Sequence, residues 1–184
     1  MTKGMNSLDV GCGTNPQGDV NIDVSIERTP YRKAEGYSSE IQPQKIKNFI
    51  LADAEHLPLR SNTFNEVLCD STLEHLKSPY RCLRESYRVC RSNGLITITT
   101  EHRLGGLFQI FRLRHKGAKT EHRFSRGFFL KTFGVRIEKV QTFYELLGVP
   151  CGLKVMIRKE SKLAVLAEYF AVTENDKATW NFIR

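Results

Sequence analysis

The chain has 184 residues, 40% hydrophobic and 26% charged, and a net charge of +8 at pH 7. That size suits one domain able to bury most of the surface its unfolded form exposes, without metal or disulfide staples. No apolar run is long enough to cross a bilayer, the N-terminus lacks the apolar core of an export signal, and five cysteines without a Cys-x-x-Cys pair read as reduced thiols in a cytoplasmic protein.

Ser7 to Val10 is an apolar strand running into Gly11-Cys12-Gly13, a turn in which glycine supplies positive φ or lets backbone approach a ligand. A second short strand, Asp19 to Ile22, ends at Asp23. Alone, a Gly-x-Gly turn fits a plain tight turn equally well, so its companions must decide. Val24 to about Gln44 is polar and rich in turn formers. Phe49 to Ala52 and Phe64 to Cys69 read as strands ending at Asp53 and Asp70. Ser78 is placed to cap a helix with Pro79 first, whose Leu83, Tyr87 and Cys90 share a face and which Ser92-Asn93-Gly94 ends.

Leu95 to Thr100 is a β-branched strand followed by Glu101 and His102. Gly105 to His115 is amphipathic and basic. A helix is expected from N-cap Ser125 to Gly134, with Phe128, Phe129, Leu130 and Phe133 as its apolar contribution. Val135 to Tyr144 and Leu153 to Lys159 form an antiparallel pair across a Gly/Pro turn. Ser161 to Arg184 starts as an amphipathic helix, either a packing helix or a homodimer contact. The organisation expected is one domain over 1–184, with a core at about 7–160 and a C-terminal extension at 161–184.

Acidic residues at successive strand ends point to an open α/β, mostly parallel sheet with an antiparallel C-terminal strand, whose ligand lies beyond the carboxyl ends. Only Thr14 to Gly18 separate Gly13 from the second strand, and a parallel crossover usually needs about a dozen residues or more. The first crossover helix is therefore expected to be shortened or absent.

Asp9-Val10-Gly11-Cys12-Gly13, Asp23, Asp53-Ala54-Glu55-His56-Leu57-Pro58, Phe64-Asn65-Glu66-Val67, Leu73-Glu74-His75 and Arg88-Val89-Cys90-Arg91-Ser92-Asn93-Gly94 occur in one order along the chain. With these motifs, residues 7 to 160 resemble the class I S-adenosylmethionine-dependent methyltransferases, and most of all their type 11 group. The resemblance implies a Rossmann-like fold and S-adenosyl-L-methionine as cofactor. Asp9 would sit at the acidic position of the first motif. Gly11, Cys12 and Gly13 would let backbone pass the methionine moiety, and Asp23 would take both ribose hydroxyls. Asp53 and the Ala54 amide would meet the adenine, and Asp70 and Ser71 the methionine end. Arg91-Ser92-Asn93-Gly94 departs from the usual Lys-Pro-Gly-Gly, which changes a turn and not chemistry.

Other residues carry two readings. Ser71-x-x-Glu74 reads first as a capping box, with a site role as the alternative. His75 is a candidate base near the expected methyl acceptor or a histidine packed at a helix start, and His102 a second candidate base or a solvated loop residue. His115 and His122 lack the spacing of a metal site, so no metal is expected. Arg112, Arg114, Lys116, Lys119, Arg123 and Arg126, interleaved with Phe108, Phe111 and Phe124, suit either RNA or a solvated face. The expectation is methyl transfer by in-line displacement to a small or medium-sized acceptor. The alternatives are an RNA acceptor or a non-catalytic cofactor-binding partner subunit.

Overall fold

The computed structural model describes residues 6–24, 42–102, 104, 122–144 and 150–160. Its strands are β1 (Ser7–Val10), β2 (Val20–Asp23), β3 (Phe49–Leu51), β4 (Phe64–Asp70), β5 (Cys90–Glu101), β6 (Ile137–Tyr144) and β7 (Pro150–Arg158), and its α-helices are α1 (Pro79–Val89) and α2 (Arg126–Phe133). The strands make one sheet in the order β3-β2-β1-β4-β5-β7-β6. All neighbours from β3 to β5 pair parallel, and β7 alone runs against its neighbours β5 and β6. This is the α/β, mostly parallel sheet expected, with its reversed strand inserted one place inside the edge.

Alternation divides the sheet into two unlike faces. Leu8, Val10, Val20, Ile22, Val67, Cys69, Ile96, Ile98, Val155 and Ile157 are buried together with Cys82, Leu83 and Tyr87 of α1 and Phe129 and Phe133 of α2. Each such side chain removed from water stabilises the fold by roughly 1.5–3 kcal/mol. The opposite face carries Asn21, Asp9, Leu68, Thr97 and Met156 in register across five strands. Polar residues sit there even where they are buried, as Asp9, Asn21 and Thr97 are.

Residues 11–19 cross from β1 to the parallel β2 without a helix. Polar side chains replace helix packing in this short crossover. Asp9 Oδ2 accepts the Gln17 amide at 2.9 Å, and Asn21 Oδ1 accepts the Gly18 amide at 2.9 Å. Asn21 Nδ2 donates to the Gly18 and Lys47 carbonyls. Asp19 accepts the Asn6 and Ser7 amides and pairs with Lys47 at 2.8 Å.

Several expectations need correction. The helix α1 stops at Val89, and Cys90 is already extended and opposite Phe64 in β5. Residues 91–94 are absorbed as an irregularity before Glu66 pairs with Leu95, with Asn93 at φ +62 and bonded through backbone to Lys159. The polar triplet taken as a helix stop is thus a bulge within a long strand. Ser78 occupies the N-cap position of α1 but makes no side-chain cap; its amide instead donates to Glu55 Oε1 at 2.7 Å. By contrast Ser125 does cap α2, accepting the Phe128 amide at 3.2 Å, although Leu130 points outward. Val135 lies in a short 3-10 turn over Gly134–Arg136 ahead of β6.

The lower end of α1 is held by one buried cation. Lys159, 1% exposed, donates from Nζ to the Tyr87 and Cys90 carbonyls, both at 2.7 Å, and to Asn62 Oδ1 at 2.8 Å. A cation against the last carbonyls of a helix is favourable for the helix dipole as well as for the orphan acceptors. Among the described residues no helix is long and apolar enough to cross a membrane.

Candidate functional site

Four strands deliver carboxylates to the same end of the sheet. Asp23 closes β2 and Asp70 closes β4, Asp9 lies one residue from the end of β1, and Asp53 follows β3 by two residues. Their convergence has local causes. Gly11 and Cys12 both donate their amides to the Ile22 carbonyl, at 2.8 and 2.9 Å, which folds the turn over β2. Gly13, at φ +54, then donates its amide to Asp23 Oδ2 at 2.9 Å, so the turn itself orients the carboxylate. The Ala52 amide donates to the Asp23 carbonyl at 3.0 Å, bringing Asp53 and Ala54 beside it.

The two glycines do different work. Gly11, at φ +76, faces Thr72: a Cβ there would lie 2.1 Å from Thr72 Oγ1, closer than any side chain tolerates. A Cβ on Gly13 would meet nothing within 4 Å, so this side of the turn is open. Thr72 Oγ1 is within hydrogen-bond distance of the Val10, Gly11 and Asp70 carbonyls, at 3.3, 3.4 and 3.0 Å. Its one hydroxyl proton is shared among them and latches the end of β4 to the glycine turn. Ser71, at φ +49, turns the chain there and donates to Asp70 Oδ1 at 3.2 Å. Thr72 has no sequence signature; only the missing space above Gly11 reveals it.

Asp53 is set by its own turn, Oδ1 accepting the Glu55 amide at 2.8 Å while His56 Nδ1 lies 3.2 Å from Oδ2. Residues 55–60 are pinned to α1 by Glu85 and Arg88. Glu85 Oε2 accepts the Leu57 amide at 2.9 Å, and Arg88 pairs with Glu85 while donating to the Leu57 and Leu59 carbonyls. The Ala54 amide has no hydrogen bond among the described residues.

Burial dominates the electrostatics. Asp9 is 2% exposed, and desolvation, opposed by the Gln17 amide and reinforced by Asp70 and Asp23, pushes its pKa up to about 6. Glu74, also 2% exposed, lies in a 3-10 turn, Leu73–His75, and accepts the Thr100 hydroxyl at 2.9 Å. Desolvation raises its pKa to about 7. The capping-box reading fails: the N-cap of that turn is Thr72, no side chain caps it, and Glu74 points inward against β5. Asp23, Asp53 and Asp70 thus gather carboxylates at one end of the sheet in a chain that is positive overall, which suits a cationic ligand.

The two histidines diverge. His75 is half-buried on the turn after β4, beside Glu74, and its amide donates to the Thr72 carbonyl. His102 is tied down at one ring nitrogen, Nδ1 accepting the Leu104 amide at 3.1 Å. Burial lowers its pKa, and its backbone amide, donated to the Cys151 carbonyl at 2.9 Å, ties the end of β5 to β7. Of the basic stretch, only Arg123 and Arg126 fall among the described residues; 105–121 and the extension 161–184 lie outside them. All five cysteines are free thiols, four of them buried.

Residues 8–98 match the profile of a family described as a methyltransferase domain, the type 11 group. Among solved structures, the chain is similar to a SAM-dependent methyltransferase from Thermotoga maritima at 19% identity, with a TM-score of 0.59 and 87% of this chain and 84% of that one covered. It is similar to an S-adenosylmethionine-dependent methyltransferase from Listeria monocytogenes at 15% identity, with a TM-score of 0.59 and coverage of 85% and 92%. A third similar chain comes from a complex between the Haloferax volcanii Trm112 methyltransferase activator and a methyltransferase, at 11% identity, TM-score 0.57 and coverage of 89% and 85%.

Proposed function

We propose, from the match of residues 8–98 to a methyltransferase-domain profile, that this chain is a class I, S-adenosylmethionine-dependent methyltransferase of the type 11 group that methylates a small or medium-sized acceptor. The observation that carries the site assignment is the row of carboxylates Asp9, Asp23 and Asp70 around a glycine turn that is open at Gly13. The residues fit the cofactor's chemistry. The Asp23 carboxylate, oriented by the Gly13 amide, is an acceptor for ribose hydroxyls, and charge-assisted bonds of this kind are about twice as strong as neutral ones. Asp53 and the Ala54 amide offer an acceptor and a donor side by side for an adenine edge. Val24, 69% exposed directly after Asp23, is an apolar surface for the flat base that sequence inspection passed over.

When bound, the cofactor supplies a methyl group on a positively charged sulfur that leaves as a neutral thioether. Methyl transfer to the acceptor's nucleophile would be an in-line displacement with that thioether as leaving group. The protein's share is alignment and exclusion of water. Asp9 and Asp70 sit toward the methionine end, where negative charge favours the cation over the neutral product. Should the acceptor need to lose a proton, His75 is the base we assign, since His102 Nδ1 already accepts the Leu104 amide.

Calorimetry of the full chain with S-adenosylmethionine, followed by transfer of labelled methyl in a lysate, tests this reading. Asp23→Ala should weaken binding at least tenfold with the fold retained, and label should appear in the small-molecule fraction. A folded wild-type protein that binds no cofactor would refute it. The net charge of +8 favours a second reading, an RNA acceptor. Label in RNA, with affinity falling steeply as salt rises, would select that one.

A further inference from the structure

The crossover from β3 to β4, residues 52–63, contains no helix and returns to the end of the sheet opposite the carboxylates. A cavity of about 730 Å³ lies there, at the amino-terminal ends of β1 to β4. Its volume falls in the range of roughly 300–1,000 Å³ typical of small-molecule sites. Val20, Ile50, Leu59 and Phe64 give it apolar walls, and the exposed Arg60 and Arg91 border the same space.

Those two cations are poorly matched. Among the described residues the Arg60 guanidinium has neither hydrogen bond nor ion pair, and Arg91 has a single 3.3 Å bond to Asn65 Oδ1. The nearby acid Asp19, which precedes Val20, is already neutralised by Lys47 at 2.8 Å and by the Asn6 and Ser7 amides. An uncharged apolar occupant would gain only its area of burial, about 25 cal/mol per Å², and leave both guanidiniums in water. An occupant with an anionic head would add charge-assisted bonds, and the forked guanidinium suits a carboxylate or a phosphate.

We propose that this cavity is a second ligand site, which takes an amphiphilic anion: an apolar body against Val20, Ile50, Leu59 and Phe64 and a carboxylate or phosphate head on Arg60 and Arg91. It is separate from the cofactor crevice, because β4 runs from Phe64 at the cavity to Asp70 at the crevice, roughly 20 Å at ~3.3 Å per residue.

Octanoate and octyl phosphate are the probes, with octanol as uncharged control, titrated into the full chain by calorimetry with saturating S-adenosylhomocysteine present. At least one anion should bind with unit stoichiometry. Arg60→Ala/Arg91→Ala should weaken it at least tenfold without changing octanol, and Leu59→Trp, which fills the cavity, should weaken all three. Preference between the two anions names the head group. Unchanged S-adenosylhomocysteine affinity in both variants shows that they are folded. The proposal is overturned if neither anion binds the folded wild type, if S-adenosylhomocysteine displaces the anion, or if the variants bind it as the wild type does.

Discussion

Glu74 offers the sharpest test of how this crevice is built. Its carboxyl is held near 7 against an ordinary value of 4.5, with burial as the main cause. The folded state therefore binds a proton more tightly than the unfolded chain between those two values. Stability contributed by the protonated form is fully present below about 4.5 and is lost as pH rises through about 7. At pH 8 the ionised, desolvated carboxylate costs on the order of 3 kcal/mol. Glu74→Gln keeps the shape and an oxygen for the Thr100 hydroxyl while removing the charge. The variant should match the wild type within about 1 kcal/mol at pH 5 and exceed it by 2–3 kcal/mol, or roughly 4–12 °C in Tm, at pH 8. Every other titrating group is common to both proteins, so the quantity to measure is the difference between variant and wild type at each pH, by urea and by thermal unfolding. A variant that loses the same stability at pH 5 as at pH 8 would show that the carboxylate is stabilised as an ion, and the desolvation argument would be wrong.

Two further substitutions probe the frame. Gly11→Ala should destabilise by about 2 kcal/mol or more from positive φ and collision with Thr72 Oγ1; adding Thr72→Gly, which also removes the Thr72 Cβ at 2.9 Å, should relieve the steric part only, as a double-mutant cycle would read out. Lys159→Met leaves the Tyr87 and Cys90 carbonyls and Asn62 Oδ1 without their shared donor, so a loss of about 3 kcal/mol is expected in urea unfolding, and a loss under 1 kcal/mol would contradict the role assigned to this cation.

What the sequence reveals, and what it hides, follows the range of the forces involved. The glycine turn, Asp23 and the missing helix between β1 and β2 were legible because each is a matter of spacing over ten residues or so. The cap of α2 by Ser125 is equally local. Glu74 was misread for the opposite reason: Ser71-x-x-Glu74 satisfies a local rule, but Thr100, which lies 26 residues on and fixes the carboxyl, is brought there only by the pairing of β4 with β5. The same holds for residues 91–94, a helix stop by composition and a bulge once Cys90 pairs with Phe64. Ser78 kept its position but gave its amide to Glu55, so the helix began without the expected cap. The Cys151 carbonyl that accepts the His102 amide is likewise far along the chain and comes near only through the pairing of β5 with β7.

The short link between β1 and β2 also bears on how the chain reaches its native state. Parallel strands are ordinarily slow to pair because a long connection must be ordered first, and each doubling of a loop adds ~0.6 kcal/mol of closure entropy. With residues 11–19 as the whole connection, Leu8 can meet Val20 while most of the chain is still unstructured. β7, in contrast, meets β6 locally but must reach β5 across a long stretch of chain, Leu95 pairing with Arg158. The ligand cradle is then the early-forming part of the sheet, and docking of β7 on β5 is the late, long-range event that commits the remainder.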